Sequence, residues 1–257
     1  MRSFIPATAM ALALVVVFVF IVGACKNPVK NSREDSREDM SGKIVVLVHG
    51  YGKDSDDMRS LANFLGEAGY RAVKVDLPLT FDSVDEAAKI FEQEVAALLS
   101  TLADEQPIAM VGHSTGGLVI RYFLSHSPLY QRVDRAVLIA TPNRGSTLAE
   151  MAGDLSGLLV ETFATLDSLR PEKISRLALH DPEEALVGAI AGDKGNLVLG
   201  GLLEKENDGR VEVESVFYPE LDDFIVVPHN HHEIHHSRKT ASLVIRFIET
   251  GSFENPS

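Results

Sequence analysis

The chain has 257 residues, 45% of them apolar and 24% charged, enough for one globular domain with a sizeable core. Its net charge of -13 excludes nucleic acid as a partner, because phosphates would be repelled. The single cysteine, Cys25, excludes an internal disulfide, and the absence of a cofactor fingerprint sets the expectation that no cofactor is used.

The N-terminus reads as an export signal. Arg2 precedes an apolar run from Ala9 to Ala24, and Val22-Gly23-Ala24-Cys25 follows. A basic start, an apolar core and small residues before a cut site make a secretory signal. A cysteine at that place resembles the lipobox of bacterial lipoproteins, with Gly23 and Ala24 in the box and Val22 standing in for leucine. The resemblance implies that Cys25 receives a lipid, becomes the new N-terminus and anchors the protein in a membrane. Two alternatives stay open: an uncleaved membrane anchor, although the run falls short of the ~20 apolar residues of a spanning helix, and an ordinary cleaved signal. Residues 26–42 are polar, with Ser-Arg-Glu-Asp twice and no apolar face, and read as a solvated tether. Lys26 is not the aspartate that commonly retains such lipoproteins in the inner membrane, so the resemblance favours the outer one.

A domain is expected from residue 43 to residue 251, followed by a short tail over 252–257. Lys43 to Val48 is a continuous β-branched run, suited to a central parallel strand, and it enters His49-Gly50-Tyr51-Gly52. Asp54 to Ala68 has helical spacing through Met58, Leu61, Leu65 and Ala68, with Gly69 as its stop. Ala72 to Val75 is the next strand. Ser83 to Leu102 is a long helix opened by a Ser83/Glu86 capping box, with Ala87, Ile90, Phe91, Val95, Leu98 and Leu102 as its buried stripe.

The next stretch organises the rest. Ile108 to Val111 is a short apolar strand, and Leu118, Val119, Tyr122 and Phe123 open a helix that runs to about Ser125. Between them lies Gly112-His113-Ser114-Thr115-Gly116. Ser114 therefore sits on a tight strand-to-helix turn, where glycines two residues either side avoid collision with the flanking elements. This Gly-x-Ser-x-Gly elbow, extended as Gly-His-Ser-Thr-Gly-Gly, resembles the α/β-hydrolase superfamily, and bacterial lipases and esterases most of all.

That resemblance implies an α/β fold with a mostly parallel central sheet flanked by helices and a helical cap insertion. It makes Ser114 the nucleophile of a serine hydrolase acting on carboxylic esters. It also makes His49-Gly50 the opening of the oxyanion loop, with the N–H groups of Tyr51 and Thr115 as donors. Val133 to Ala140 is the next strand, and Thr141 to Ser146 looks like the loop that many lipases carry after it. Arg144 in that loop is read as a brace more than a substrate contact. Residues 147–185 carry Leu148, Met151, Leu155, Leu158, Leu159, Phe163, Leu166 and Leu169. The family commonly places a cap here, which would shape an acyl pocket; ordinary scaffold helices are the competing reading. Leu186 to Ala191 and Phe224 to Val227 are the last strands, and Ser237 to Thr250 is the closing helix, stopped by Gly251.

A serine hydroxyl needs a base, and the base needs a carboxylate. In this fold the chain order is Ser, acid, His. Asp208, in Asn207-Asp-Gly-Arg-Val211, looks like the family's acid loop; Asp193 is the alternative, and Asp222 and Asp223 are worse placed. His231 best fits the base, with His232 second and His229 third; the other histidines of the run are expected to face solvent. The run also spells His232-Glu233-Ile234-His235-His236, a formal His-Glu-x-x-His match. Its position at a loop-to-helix junction argues for chance, so no catalytic metal is expected and incidental surface metal binding is the better reading. Acyl transfer or thioester hydrolysis on the same residues, a zinc hydrolase and a non-catalytic binding protein remain the rivals.

Overall fold

The computed structural model describes residues 43–155 and 164–254. The export signal with Cys25, the tether, Leu158, Leu159 and Phe163 of the insertion, and residues 255–257 lie outside the described residues. Among the described residues no helix is long and apolar enough to cross a membrane.

Six strands form one sheet: β1 (Ile44–Val48), β2 (Arg71–Val75), β3 (Ile108–His113), β4 (Val133–Ile139), β5 (Leu186–Gly192) and β6 (Asp223–Val227). Their order is β2-β1-β3-β4-β5-β6 and every pairing is parallel. All six therefore end at one edge. The chain runs from β1 to β2 on one side and then crosses to β3 on the other, and the crevice at such a switch point is where open α/β sheets hold ligands. The register sets Val48 of β1 beside Gly112 of β3, so the two loops that follow start side by side.

β1 and β3 are buried on both faces, as continuous apolar runs must be. Alternate residues feed two cores. Val46 and Met110 belong to one, packed under α2 (Val84–Leu99) and α3 (Thr115–His126). There Phe91 and Phe123 meet edge to face at 5.4 Å. Val45, Leu47 and Val111 belong to the other, under α1 (Arg59–Glu67) and the closing helix α8 (Arg238–Thr250). Each such fully buried large side chain contributes about 1.5–3 kcal/mol.

Local signals account for most boundaries. Ser83 donates its N–H to Glu86 Oε2 at 3.2 Å, closing the capping box that starts α2. Two expectations on apolar faces are corrected. Ile90 is exposed, because the seam of α2 follows Val84, Ala88, Phe91, Val95 and Leu99 and leaves position 90 on the flank. Ala68 is exposed too, since α1 is preceded by a 3₁₀ turn (Ser55–Met58) and stops at Glu67. Packing continues past Gly251: Phe253 is buried with its ring 4.8 Å from that of Phe247.

The insertion holds α4 (Thr147–Leu155), α5 (Ala164–Ser168) and α6 (Pro171–Arg176). Its second half is tied down. Val84 N–H donates to Ser168 Oγ at 3.3 Å, and Thr165 Oγ1 donates to the Asp82 carbonyl at 2.5 Å. Asp181 is paired with buried Arg121 of α3 at 3.3 Å, and Arg121 in turn stacks on the Tyr218 ring. A short helix, α7 (Val213–Val216), follows the turn that carries Asp208.

Candidate active site

Ser114 stands between β3 and α3 with φ 53 and ψ -124, a backbone state that L residues rarely adopt. Strain of this kind costs of order 1–3 kcal/mol and persists only where the surroundings impose it. The surroundings here are backbone on both sides. A Cβ on Gly112 would lie 2.5 Å from Gly117 N, and one on Gly116 would lie 2.4 Å from the His49 carbonyl. These contacts hold the elbow against the loop after β1. Gly116→Ala should therefore lower stability by about 1–3 kcal/mol, the cost of overpacking a filled site. A thermal melt checks this, and an unchanged midpoint would contradict the close packing.

Three side chains from distant parts of the chain meet there. Ser114 Oγ is 3.1 Å from His231 Nε2, and His231 Nδ1 is 2.7 Å from Asp208 Oδ2. Ser114, His231 and Asp208 are 7%, 6% and 1% exposed. A carboxylate can only accept, so His231 carries its proton on Nδ1 and presents the bare Nε2 to the serine.

Each partner is fixed by its own loop. Asp208 Oδ1 accepts the N–H groups of Arg210 and Val211 at 2.9 and 2.8 Å, leaving Oδ2 for the imidazole. Asn207 Oδ1 takes Gly209 N–H at 2.8 Å, and Gly209 turns the chain at φ 93. His231 N–H donates to the Asp208 carbonyl at 2.9 Å, so these two residues are joined through backbone as well as side chain. His113 Nε2–H donates to the His231 carbonyl at 3.1 Å. Burial, then the rings of His235 and His231, push His113 well below the ordinary imidazole range, so it stays neutral.

The loop after β1 completes this edge. His49 is fully buried; its Nδ1–H donates to the Gly50 carbonyl at 2.9 Å and its Nε2 accepts Leu77 N–H at 3.1 Å. Burial lowers its pKa, in keeping with a neutral ring that ties two loops together. A Cβ on Gly50 would lie 3.0 Å from that of Ser114, which is how close the Tyr51 loop comes to the elbow.

The other sequence candidates fall elsewhere. Asp193 is exposed, while the carboxylates of Asp222 and Asp223 accept backbone N–H groups of Val187 and of Phe224 and Phe253. The His229 ring is hydrogen-bonded to Ser237 Oγ at 2.9 Å. His232 Nε2 lies 3.5 Å from an Arg210 Nη, and partial desolvation with that guanidinium lowers its pKa to about 4. Arg144 is exposed over the Phe217 ring and does not line the pocket. The His-Glu-x-x-His match does not form a metal pair, because His232 faces Arg210 while His236 lies by Asp57. The expectation that the remaining histidines face solvent is overturned for His235. It is 2% exposed, stacked on His113 at 3.7 Å and bonded to Asp57 Oδ2 at 3.0 Å.

Ser114 and His231 open into a cavity of ≈ 640 Å³. Leu148, Ala149, Ala152, Leu166 and Leu169 of the insertion form its apolar wall, with Leu199 and Val211. That volume suits a small organic ligand. Arg210, which sequence reading passed over, enters the same cavity. Asp208 is conspicuous in its Asn-Asp-Gly turn; nothing local marks an arginine two residues on as pocket-facing.

A protein-family profile described as the alpha/beta hydrolase fold matches residues 43–173. The chain is 29% identical to putative methylesterase 14, chloroplastic, of Arabidopsis thaliana over 120 residues, 44% of this chain and 34% of that protein. It is 33% identical to methylesterase 18 of the same plant over 87 residues, 30% of this chain and 32% of that protein. The matches thus span about a third of those relatives. Among solved structures, a Bacillus licheniformis lipase in its mature form superposes with a TM-score of 0.69 at 20% identity, covering 84% of this chain and 95% of that one. A metagenomic carboxyl esterase gives 0.62 at 20% identity, with 80% and 70% covered. At these identities the structural likeness is one of fold.

Proposed function

The chain belongs to the α/β-hydrolase fold family, and from that premise we propose that it is a serine hydrolase of carboxylic esters. One observation carries the reading: the hydrogen-bonded series Ser114–His231–Asp208 at the wall of an apolar cavity. In this reading Ser114 Oγ attacks the ester carbonyl carbon while His231 Nε2 takes its proton. Asp208 stabilises the imidazolium so formed without becoming protonated. The N–H groups of Tyr51 and Thr115 receive the oxyanion. The tetrahedral centre collapses, His231 returns the proton to the leaving alcohol, and an ester of Ser114 remains. Water, deprotonated by His231, then releases the acid and frees the serine.

His231 is the base rather than His232. The first has a buried carboxylate on one nitrogen and the hydroxyl on the other; the second has a guanidinium beside it. The leucine-rich wall supports an acyl chain as the group bound beside Ser114. Names of relatives that include methylesterase, lipase and carboxyl esterase support ester chemistry as the class.

The test is labelling with a fluorophosphonate, with the adduct mapped by mass spectrometry, followed by p-nitrophenyl esters of increasing chain length. The expected adduct is on Ser114. An adduct elsewhere, or ester turnover with no labelling at all, would refute the assignment. Turnover that appears only with added alcohol or thioester would move the protein to acyl transfer or thioester hydrolysis.

We further propose that the enzyme is a membrane-anchored lipoprotein, lipidated on Cys25 and facing the periplasmic side, supported by the basic start, apolar run and Gly23-Ala24-Cys25 sequence. Such an anchor places the cavity next to lipid esters. Cys25→Ser should abolish incorporation of labelled fatty acid and move the protein to the soluble fraction. Unchanged membrane association would favour an uncleaved anchor instead.

A further inference from the structure

The histidine run holds a second arrangement that ester cleavage does not use. Asp57, in the 3₁₀ turn after β1, faces His235 and His236 across the rim of the cavity. One ligand atom from each lies within 4.8 Å of the others. His235 Nε2 is 3.0 Å from Asp57 Oδ2, and His236 Nε2 is 3.8 Å from Asp57 Oδ1. A tetrahedral zinc site with bonds of about 2.0–2.2 Å has ligand atoms about 3.3–3.6 Å apart. The two observed separations, each to a different oxygen of the carboxylate, lie within a few tenths of an ångström of that edge.

We propose that Asp57, His235 and His236 form a zinc-binding site at the mouth of the cavity, distinct from the serine centre. Two imidazoles and one carboxylate are a donor set that Zn²⁺ takes, shared with Fe²⁺ and other late first-row ions; calcium and magnesium would call for oxygen ligands throughout. His235 is the rigid member, 2% exposed and held against the His113 ring at 3.7 Å. His236, with its side chain 42% exposed and its ring 3.9 Å from that of His235, already turns Nε2 toward Asp57. The fourth position is left to water. Lys53, 3.8 Å from Asp57 Oδ1, is the competing cation, and its side chain is 43% exposed and able to swing away. The net charge of -13 draws cations to the surface in general.

The consequence is a clamp. Asp57 and His235 are 178 residues apart, and the ion would join the turn beside the oxyanion loop to the loop that carries His231. The site does not depend on the esterase reading, because zinc uptake is read without substrate.

The test uses the full chain in detergent, stripped with a chelator and titrated with Zn²⁺ by calorimetry. One ion per chain should bind, and at a hundredfold excess over its dissociation constant the thermal midpoint should rise by roughly 5 °C or more. His236→Ala and Asp57→Asn should each weaken binding at least tenfold, while a His229→Ala, His232→Ala double variant keeps it. His236 is the safer position, being half exposed; Asn in place of Asp57 keeps the shape of the side chain. No saturable zinc binding, or binding that survives either single variant, overturns the site. Fluorophosphonate labelling run alongside in chelator reports on Ser114 independently, so the two proposals fail separately.

Discussion

Replacing Ser114 by alanine should leave a folded protein that neither forms an acyl-enzyme nor takes up a fluorophosphonate, with kcat down by about 10⁶-fold. The size follows from the geometry. Ser114 Oγ is the hydroxyl 3.1 Å from His231 Nε2, the group the proposed mechanism uses as base. In the proposed mechanism what remains is the binding cavity and the backbone donors, which by themselves give about 10³–10⁴-fold over water in comparable enzymes. Stability should change little, because alanine keeps the Cβ that the elbow already accommodates. A melt beside the kinetics separates the two effects. Turnover within tenfold of wild type in protein free of contaminating esterase would remove Ser114 from the chemistry.

The second large effect is expected from Asp208→Asn. The amide oxygen can keep the N–H groups of Arg210 and Val211, so the acid loop stays closed. The amide nitrogen then faces His231 Nδ1, and two donors cannot share that contact. His231 has to move its proton to Nε2, which now donates toward Ser114 and cannot accept from it. Loss of the right tautomer together with the stabilising charge costs about 10⁴-fold in kcat in the serine protease case. A similar fall is expected here, carried by kcat with KM nearly unchanged, since Asp208 is 1% exposed and does not line the cavity. A change confined to KM, or a loss under tenfold, would mean that another carboxylate holds the base. Asp193 is the sequence alternative, and it is exposed.

Arg121 illustrates a constraint that neither variant touches. It lies in an otherwise apolar stretch of α3, 4% exposed, and joins Asp181, Asn143 and Tyr218 around the base of the insertion. A lone arginine among Leu118, Val119, Ile120 and Phe123 is a visible sign of a buried partner, yet the partner lies 60 residues away. The same holds for Asp57 and His235. Each is unremarkable in its own segment, and their pairing appears only once β1 and the loop after β6 end at one sheet edge.

The sequence by itself determined the features that short-range physics controls. The buried runs of β1 and β3, the Ser83 capping box, the glycine-flanked turn at Ser114 and the Asn207-Asp208-Gly209 turn each follow from residues a few positions apart, because sterics, hydrogen-bond geometry and periodicity act over that distance. The tertiary structure decided which of five histidines between 229 and 236 meets the serine, since that segment has neither helical nor strand period to fix its faces. Position 231 is selected by the backbone bond to the Asp208 carbonyl and by His113 beneath it, contacts spanning 23 and 118 residues. Distances of that kind are set by the parallel pairing that runs from β3 through β4 and β5 to β6, and no local pattern encodes them.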